Sequence, residues 1–390
     1  MRLAALGLAA TLTVAGCRTP PAAVPVPPTP ERPPPADFPV SPVVPLELDL
    51  AALQTFDPVG VTVQPPAMSR RGLTEADCRR EAALRAPLAA TLDHENRVPT
   101  EACSAANAVL TQVRAHLAAE ARNRAAGGAA DEFYQLADAD ARADVVRQSV
   151  AVLDRLRQTV RDGRAKGLRV VLDPDELDRQ RAGLVALLVQ ADLGAGLLDG
   201  ELKRRCGVPF PTPERLRPVG PFPPVAAGPT DIPAAVKLGL ERRPDLHALR
   251  ALYLGLSVDT LPAVRELLRN PAGVPLPVRA AADPTPALCA EVEVRRQQLA
   301  DLIADRERQA ADQIRAACLT LDAQAKQVGL TRWRTEELAR KAADAAKDGP
   351  LVELPTRLEA LRARADVVAA VMGYHQARVK LLMAQGIASE

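Results

Sequence analysis

The chain has 390 residues, enough for one large domain or two to three small ones, and 47% of them are hydrophobic while only 2% are aromatic. Abundant Ala, Leu, Arg, Asp and Glu with so few aromatics is the profile of long packed helices, not of a sandwich or barrel, so few strands are expected. The net charge of +2 gives no phosphate-neutralising excess, and the arginines alternate with acids as on solvated helix faces, so no nucleic-acid partner is expected.

The N-terminus, MRLAALGLAATLTVAGC, has one positive charge at Arg2, an apolar run from Leu3 to Val14, and small residues Ala15 and Gly16 before Cys17. An apolar run of about a dozen residues is too short for a permanent span and fits a secretory signal peptide over 1–16. The ending Val14-Ala15-Gly16-Cys17 resembles a bacterial lipobox, which implies cleavage before Cys17 and its lipidation. The alternative is an ordinary signal that ends near a cysteine. Arg18, standing where an Asp would favour inner-membrane retention, favours the outer membrane. No other segment reads as long and apolar enough to cross a membrane as a helix.

Residues 17–72 read as a proline-rich tether. From Arg18 to Pro45 the prolines predict neither helix nor sheet but a polyproline-II spacer of about 80–90 Å at full stretch. The body beyond it divides into two halves, 73–206 and 230–386, with a proline-rich connector at 207–229 that is expected to have no secondary structure. Thr74 and Asp231 are predicted N-caps opening each half. Ala86-Pro87 and Arg243-Pro244 are matching bends. With Pro99-Thr100 aligned on Pro284-Thr285, the halves run nearly in register for some sixty residues, the mark of a repeated unit.

A near-continuous helix of about 100 Å is predicted from Thr100 to Ala165, with Gly127-Gly128 as the place for a bend or break. Gly167 follows the helix end, and Asp173-Pro174 reads as an N-cap and first turn; Gly349 and Pro355 are expected to repeat that logic. The returning helices carry three-four seams: Leu184, Leu188, Ala191, Ala195, Leu198 and Leu202 in the first, with Val146, Leu153, Leu156 and Val160 marking the partner. In the second the seam is Leu358, Leu361, Ala365, Val368, Met372, His375, Val379 and Leu382. The predicted fold is therefore all-α: two tandem long αα-hairpins, coiled-coil-like, with little or no β-structure.

Besides Cys17, the cysteines are Cys78, Cys103, Cys206, Cys289 and Cys318, an odd number without CxxC spacing. Zinc or a disulfide framework is not expected; a single bridge in an oxidising compartment stays open, and a buried apolar cysteine is the ordinary reading.

The lipobox, the ERRPDLHALR step after the connector, the EFYQLADADARADVV helix start and the AKGL turn leading to Leu172-Asp173 together resemble the TolC-like outer-membrane efflux family, or outer membrane factors, over most of 73–386. That resemblance implies a homotrimer, with each protomer a tandem repeat, whose helices form a periplasmic tunnel receiving substrate from an inner-membrane pump through an adaptor. It also implies that Gly167 and Gly349 are periplasmic-tip turns and that Asp173 and Glu353 are acidic tip residues; for Asp173 the plain alternative is a helix cap. One departure stands out. Between Pro87 and Pro99 there are too few residues for the two barrel strands each half should supply, and the interval from Leu246 to Asp283 is broken by prolines, with GVPLPV at Gly273–Val278 as a short edge strand at most. The barrel segments read as lost, and the alternative function is a barrel-less, lipid-tethered coiled-coil interaction or spacer protein of the periplasm.

No glycine-rich phosphate loop, GxSxG or HExxH is present, so no enzyme, cofactor or metal is expected. His94, His116, His247 and His375 are too scattered to suggest a cluster, and Trp333 reads as a stacked or partly buried surface aromatic.

Overall fold

A computed structural model describes residues 40–41, 70–97, 105–209, 212, 214–220, 222–226, 228–261, 264–265 and 285–390. All of these lie within one unit, 32–390. The signal peptide 1–16, Cys17, most of the tether, Cys103 and Gly273–Val278 lie outside the described residues.

Three short strands form one sheet in the order β1 (Val40–Ser41), β2 (Arg70–Leu73), β3 (Arg215–Pro218). β2 runs antiparallel to β1, with Val40 opposite Arg71, and parallel to β3, with Leu73 opposite Pro218. This corrects two expectations, since the proline-rich tether supplies β1 and most of β2 and the connector supplies β3. Val40-Ser41 and Arg215–Arg217 are proline-free steps that leave the backbone able to pair, and proline is tolerated on edge strands such as β3. Buried groups hold β3 in place, because Leu216 N donates to Asp199 Oδ1 at 2.7 Å and Val219 N to Leu73 O at 2.8 Å.

Among the described residues the helices form two parallel series. The first is α1 (Glu75–Leu84), α2 (Pro87–Arg97), α3 (Ala105–Ala165) and α4 (Pro174–Cys206); the second is α5 (Ile232–Arg242), α6 (Pro244–Leu254), α7 (Thr285–Ala345) and α8 (Pro350–Gln385). α3 and α7 are both 61 residues long, and α4 and α8 are 33 and 36. The predicted caps form: Thr74 Oγ1 accepts from Asp77 N at 3.1 Å and Asp231 Oδ1 from Ala234 N at 3.0 Å, each satisfying a free helix-end donor. Proline opens α2, α4, α6 and α8, where its missing N–H costs nothing. The stretch after Pro87, too short for barrel strands, is helix α2 as far as Arg97.

α3 runs through Gly127-Gly128 without the expected break. A Cβ at residue 127 would lie 2.1 Å from Met383 Cγ, so this glycine marks close approach of α8 rather than a hinge. The four long helices pack side by side in the order α4, α3, α8, α7, with α1, α2 and α6 lying on α3 and α5 on α7. α4 and α7 are thus the two edges.

The main core gathers Phe133 and Tyr134 of α3 with Leu73, Leu202, Ile314, Val367 and Val371, all buried. Fully burying each large apolar side chain contributes roughly 1.5–3 kcal/mol. Tyr134 Oη donates to Glu75 Oε2 at 2.6 Å, Glu75 pairs with Arg378 at 3.3 Å, and the His375 ring stacks on Tyr134 at 4.8 Å. Burial first, and then the Arg378 charge, push the His375 pKa down to about 4, so the ring is neutral in the fold. The α8 seam is buried from Leu358 to Val379 except for half-buried Ala365, but Ala360, Ala363, Val367, Ala370 and Val371 on its other faces are buried too. α8 is packed on more than one flank.

Candidate functional site

The first turn follows α3. Gly167 takes a left-handed φ of 75°, its N–H donating to Arg164 O at 3.0 Å while Leu168 N reaches back to Gly163 O at 2.9 Å, a glycine-closed helix end. Arg164 then donates to Leu172 O at 3.0 Å, and the Asp173 carboxylate, exposed, accepts from Asp175 N at 3.1 Å to cap α4.

The second turn does not repeat this plan. A single 3₁₀ turn, Ala346–Asp348, leads to Gly349 at φ 99°, whose carbonyl accepts from Val352 N and Glu353 N at 3.1 and 3.0 Å. α8 therefore begins at Pro350, and Pro355, expected at the helix start, lies inside it. Glu353 pairs with Arg357 one turn on, at 3.4 Å. The two turns share one end of the fold, since Val160, Leu177, Leu354 and Leu358 form a single cluster just behind them. Each turn presents apolar side chains to solvent: Leu168 and Val171 at the first, Leu351 and Val352 at the second.

Above the turns, α4 has two unlike faces. Several of its charges turn inward: Asp192 pairs with Arg147 at 3.1 Å, Arg181 with Asp154 at 2.7 Å, Asp178 with Arg157, and Arg205 with Glu132 at 2.7 Å, all on α3. Burial raises the Glu132 pKa against the pull of Arg205. Lys203 and Asp199, both buried, bond each other at 2.7 Å, and Lys203 also donates to Glu214 O at 2.6 Å.

The outward face is the apolar one. Leu187, Val189, Leu193 and Leu197 stand 50–78% exposed, and a Cβ at Gly183, Gly194, Gly196 or Gly200 would meet nothing within 4 Å. Ala182, Ala186, Val189, Leu193, Gly196 and Gly200 follow alternating four-three steps on this face. α4 is also the one described helix long and apolar enough to cross a membrane, which corrects the expectation that no such segment exists beyond the N-terminus. Sequence reading follows the inward seam and misses this interleaved one; apolar residues on both faces were the available signal.

α7, the opposite edge, carries a matching stripe. Ala316, Leu319, Ala323, Lys326, Leu330 and Trp333 follow three-four steps and all are exposed, with Leu319, Leu330 and Trp333 above 60%. Trp333 is a surface aromatic, 62% exposed. The α4 stripe runs from 8 to 26 residues past Pro174 and the α7 stripe from 29 to 12 residues before Ala345. At 1.5 Å per residue these are about 12–39 Å and 18–44 Å above the turns. The two bare stripes sit at the same height.

Among the described residues no group of three His, Cys, Asp or Glu could hold a metal ion. His116 and His247 do meet, stacked at 5.4 Å, and burial followed by the neighbour's charge lowers the His116 pKa.

No protein-family model matches the sequence, and no curated protein matches it. Solved structures do match. The CmeC outer membrane channel of Campylobacter jejuni aligns at 11% identity and a TM-score of 0.54, over 73% of this chain and 66% of that one, just under two thirds of its length. The outer-membrane channel OprN aligns at 16% identity and 0.55 over 72% and 70%, and the MtrE outer membrane channel of Neisseria gonorrhoeae at 12% and 0.51 over 81% and 89%. With the helical pairs, turns and series described above, these likenesses establish the architecture: the chain has the TolC-like fold, in an all-α body with one small sheet.

Proposed function

We propose that the chain is a TolC-like efflux component of the outer membrane, a lipid-anchored homotrimer whose helices form a periplasmic conduit. In this reading 1–16 is the signal peptide, Cys17 bears the lipid, 17–72 is the tether, and 73–206 and 230–386 are the two repeats, joined by the connector 207–229. The tips at Gly167 and Gly349, with Asp173 and Glu353, receive a periplasmic adaptor and, through it, an inner-membrane pump. The exposed apolar pairs Leu168/Val171 and Leu351/Val352 would supply the adaptor's contact.

The observation that carries the reading is the pair of bare stripes on opposite edges at one height. A head-to-tail contact, α4 of one copy on α7 of the next, uses two different surfaces and generates a ring when the rotation between copies closes. At equal height Leu319 would fall opposite Gly200, and Trp333 opposite Ala186, large against small. Glycines on one edge let a neighbouring helix come close, which a lipid surface does not require. The barrel-less spacer remains as the alternative if copies do not associate.

Light scattering on the full chain in detergent, over a concentration series, tests this. A stable trimer that Leu193→Glu converts to monomer, with helical circular dichroism unchanged, is the expected result. Monomer at every concentration removes the conduit and leaves the tethered spacer; flotation of that monomer with phospholipid vesicles, lost in Leu193→Glu, would put the α4 face in lipid instead.

A further inference from the structure

We propose that Cys78 and Cys206 form a disulfide in the exported protein. Their sulfurs are 3.9 Å apart, and both side chains are fully buried. A disulfide needs about 2.05 Å, so the two sulfurs must close by about 1.9 Å.

The internal repeat shows what this contact is for. Cys78 lies four residues after the N-cap Thr74, and Cys206 is the last residue of α4, before the left-handed Gly207. In the second half the same two places are Ala235, four residues after the N-cap Asp231, and Gln385, the last residue of α8, before the left-handed Gly386. There Gln385 Nε2 donates to Ala235 O at 3.2 Å; here Cys206 Sγ lies 4.0 Å from Cys78 O. The fold ties its short opening helix to the end of the returning helix in both halves. In the second half an amide makes the tie. In the first half it rests on two thiols, which are weak donors and weak acceptors, so a covalent bond is the stronger tie available to these residues.

The other described cysteines do not compete for each other. Cys289 and Cys318 lie on the same helix, 29 residues apart, about 43 Å along its axis.

Formation is a two-electron oxidation by thiol–disulfide exchange. One thiolate attacks a sulfur of an oxidised dithiol protein in the exporting compartment, giving a mixed disulfide; the second thiolate displaces it. The two cysteines lose two protons and two electrons, and the oxidant leaves as a dithiol. The Cys206 hydrogen bond, and then burial, raise the Cys78 pKa well above that of a free thiol, so the exchange belongs to folding, before the contact is sealed. The bond would close a loop spanning residues 78 to 206, which strongly restricts the unfolded chain.

The inference rests on the proposed export, and the test separates the two. The full chain is expressed with its N-terminus in an export-competent bacterium, acid-quenched, alkylated in denaturant and digested with trypsin without reduction. A second sample is reduced, denatured and refolded with a glutathione redox pair. The expected product in both is peptide 72–79 joined to peptide 206–215, lost on reduction. Reductant should lower the melting temperature of the wild type by at least about 5 °C and leave a Cys78→Ala/Cys206→Ala double variant unmoved. Singly alkylated Cys78 and Cys206 in a chain with its leader removed, or no link after refolding, overturns the disulfide. An uncleaved, cytoplasmic chain that still forms the link on refolding overturns the export and leaves the pairing intact.

Discussion

α4 and α8 are the returning helices of the two repeats, each opened by a proline and closed by a left-handed glycine, yet they live in opposite surroundings. α8 lies between α3 and α7 and is buried on several faces, whereas α4 has α3 as its one long neighbour, touches α1 and β3 only near its C-terminal end, and leaves Leu193 and Leu197 in water. Duplication copies the local program of caps, turns and lengths. It does not copy position in the layer, and a helix at an edge keeps an apolar flank only if something outside the protomer covers it.

The contrast is open to direct attack. Met372→Ala in α8, at a side chain 1% exposed, should cost about 2–5 kcal/mol in urea unfolding, because a cavity opens between packed helices. His375 should make the α8 region acid-sensitive. Its folded pKa of about 4 lies below the ordinary 6.5, so its neutral form is the stable one. Stability is complete above pH 6.5 and falls by roughly 3 kcal/mol as pH drops to 4. The wild type should therefore lose more stability than His375→Phe between those limits, measured as paired melts; equal losses would put the titration elsewhere. Asp173→Ala, removing the α4 cap, should cost about 1 kcal/mol, while Gly349, which caps α8 with no side chain, has no such interaction to lose. Least of all, Leu193→Ala should change the stability of the isolated monomer by less than about 0.5 kcal/mol, because the side chain touches little within its own chain. A cost near that of Met372→Ala would mean that α4 is already covered in the monomer.

Much of this was legible in the residues because it is local. Thr74, Asp231 and Asp173 cap helices through their own side chains, and the seams of α3, α4 and α8 follow from period alone. What was not legible depends on distant partners. The strand at Arg215–Pro218 exists because Arg70–Leu73 and Asp199 meet it, and nothing in a proline-rich connector announces that. Pro355 sits inside α8 because Gly349 starts the helix one turn earlier than proline logic suggests. Gly127 reads as a helix breaker until Met383 is seen against it. Of the candidate site, the turn geometry at Gly167 was readable from the Gly-then-Asp-Pro order, but the outward stripes were masked by the inward ones they interleave with.

Arg79 Nε on α1 donates to the carbonyl of Ala388 at 2.6 Å, and Asn123 on α3 receives the Ala388 N–H at 2.7 Å while donating to Met383 O at 3.1 Å. Residues near the start of the helical body are thus stitched to residues some three hundred positions later. Contacts of such sequence separation carry a loop-closure cost that local helix formation does not. The placement of α1 is therefore secured in part by residue 388, a tie that no local rule of helix formation makes.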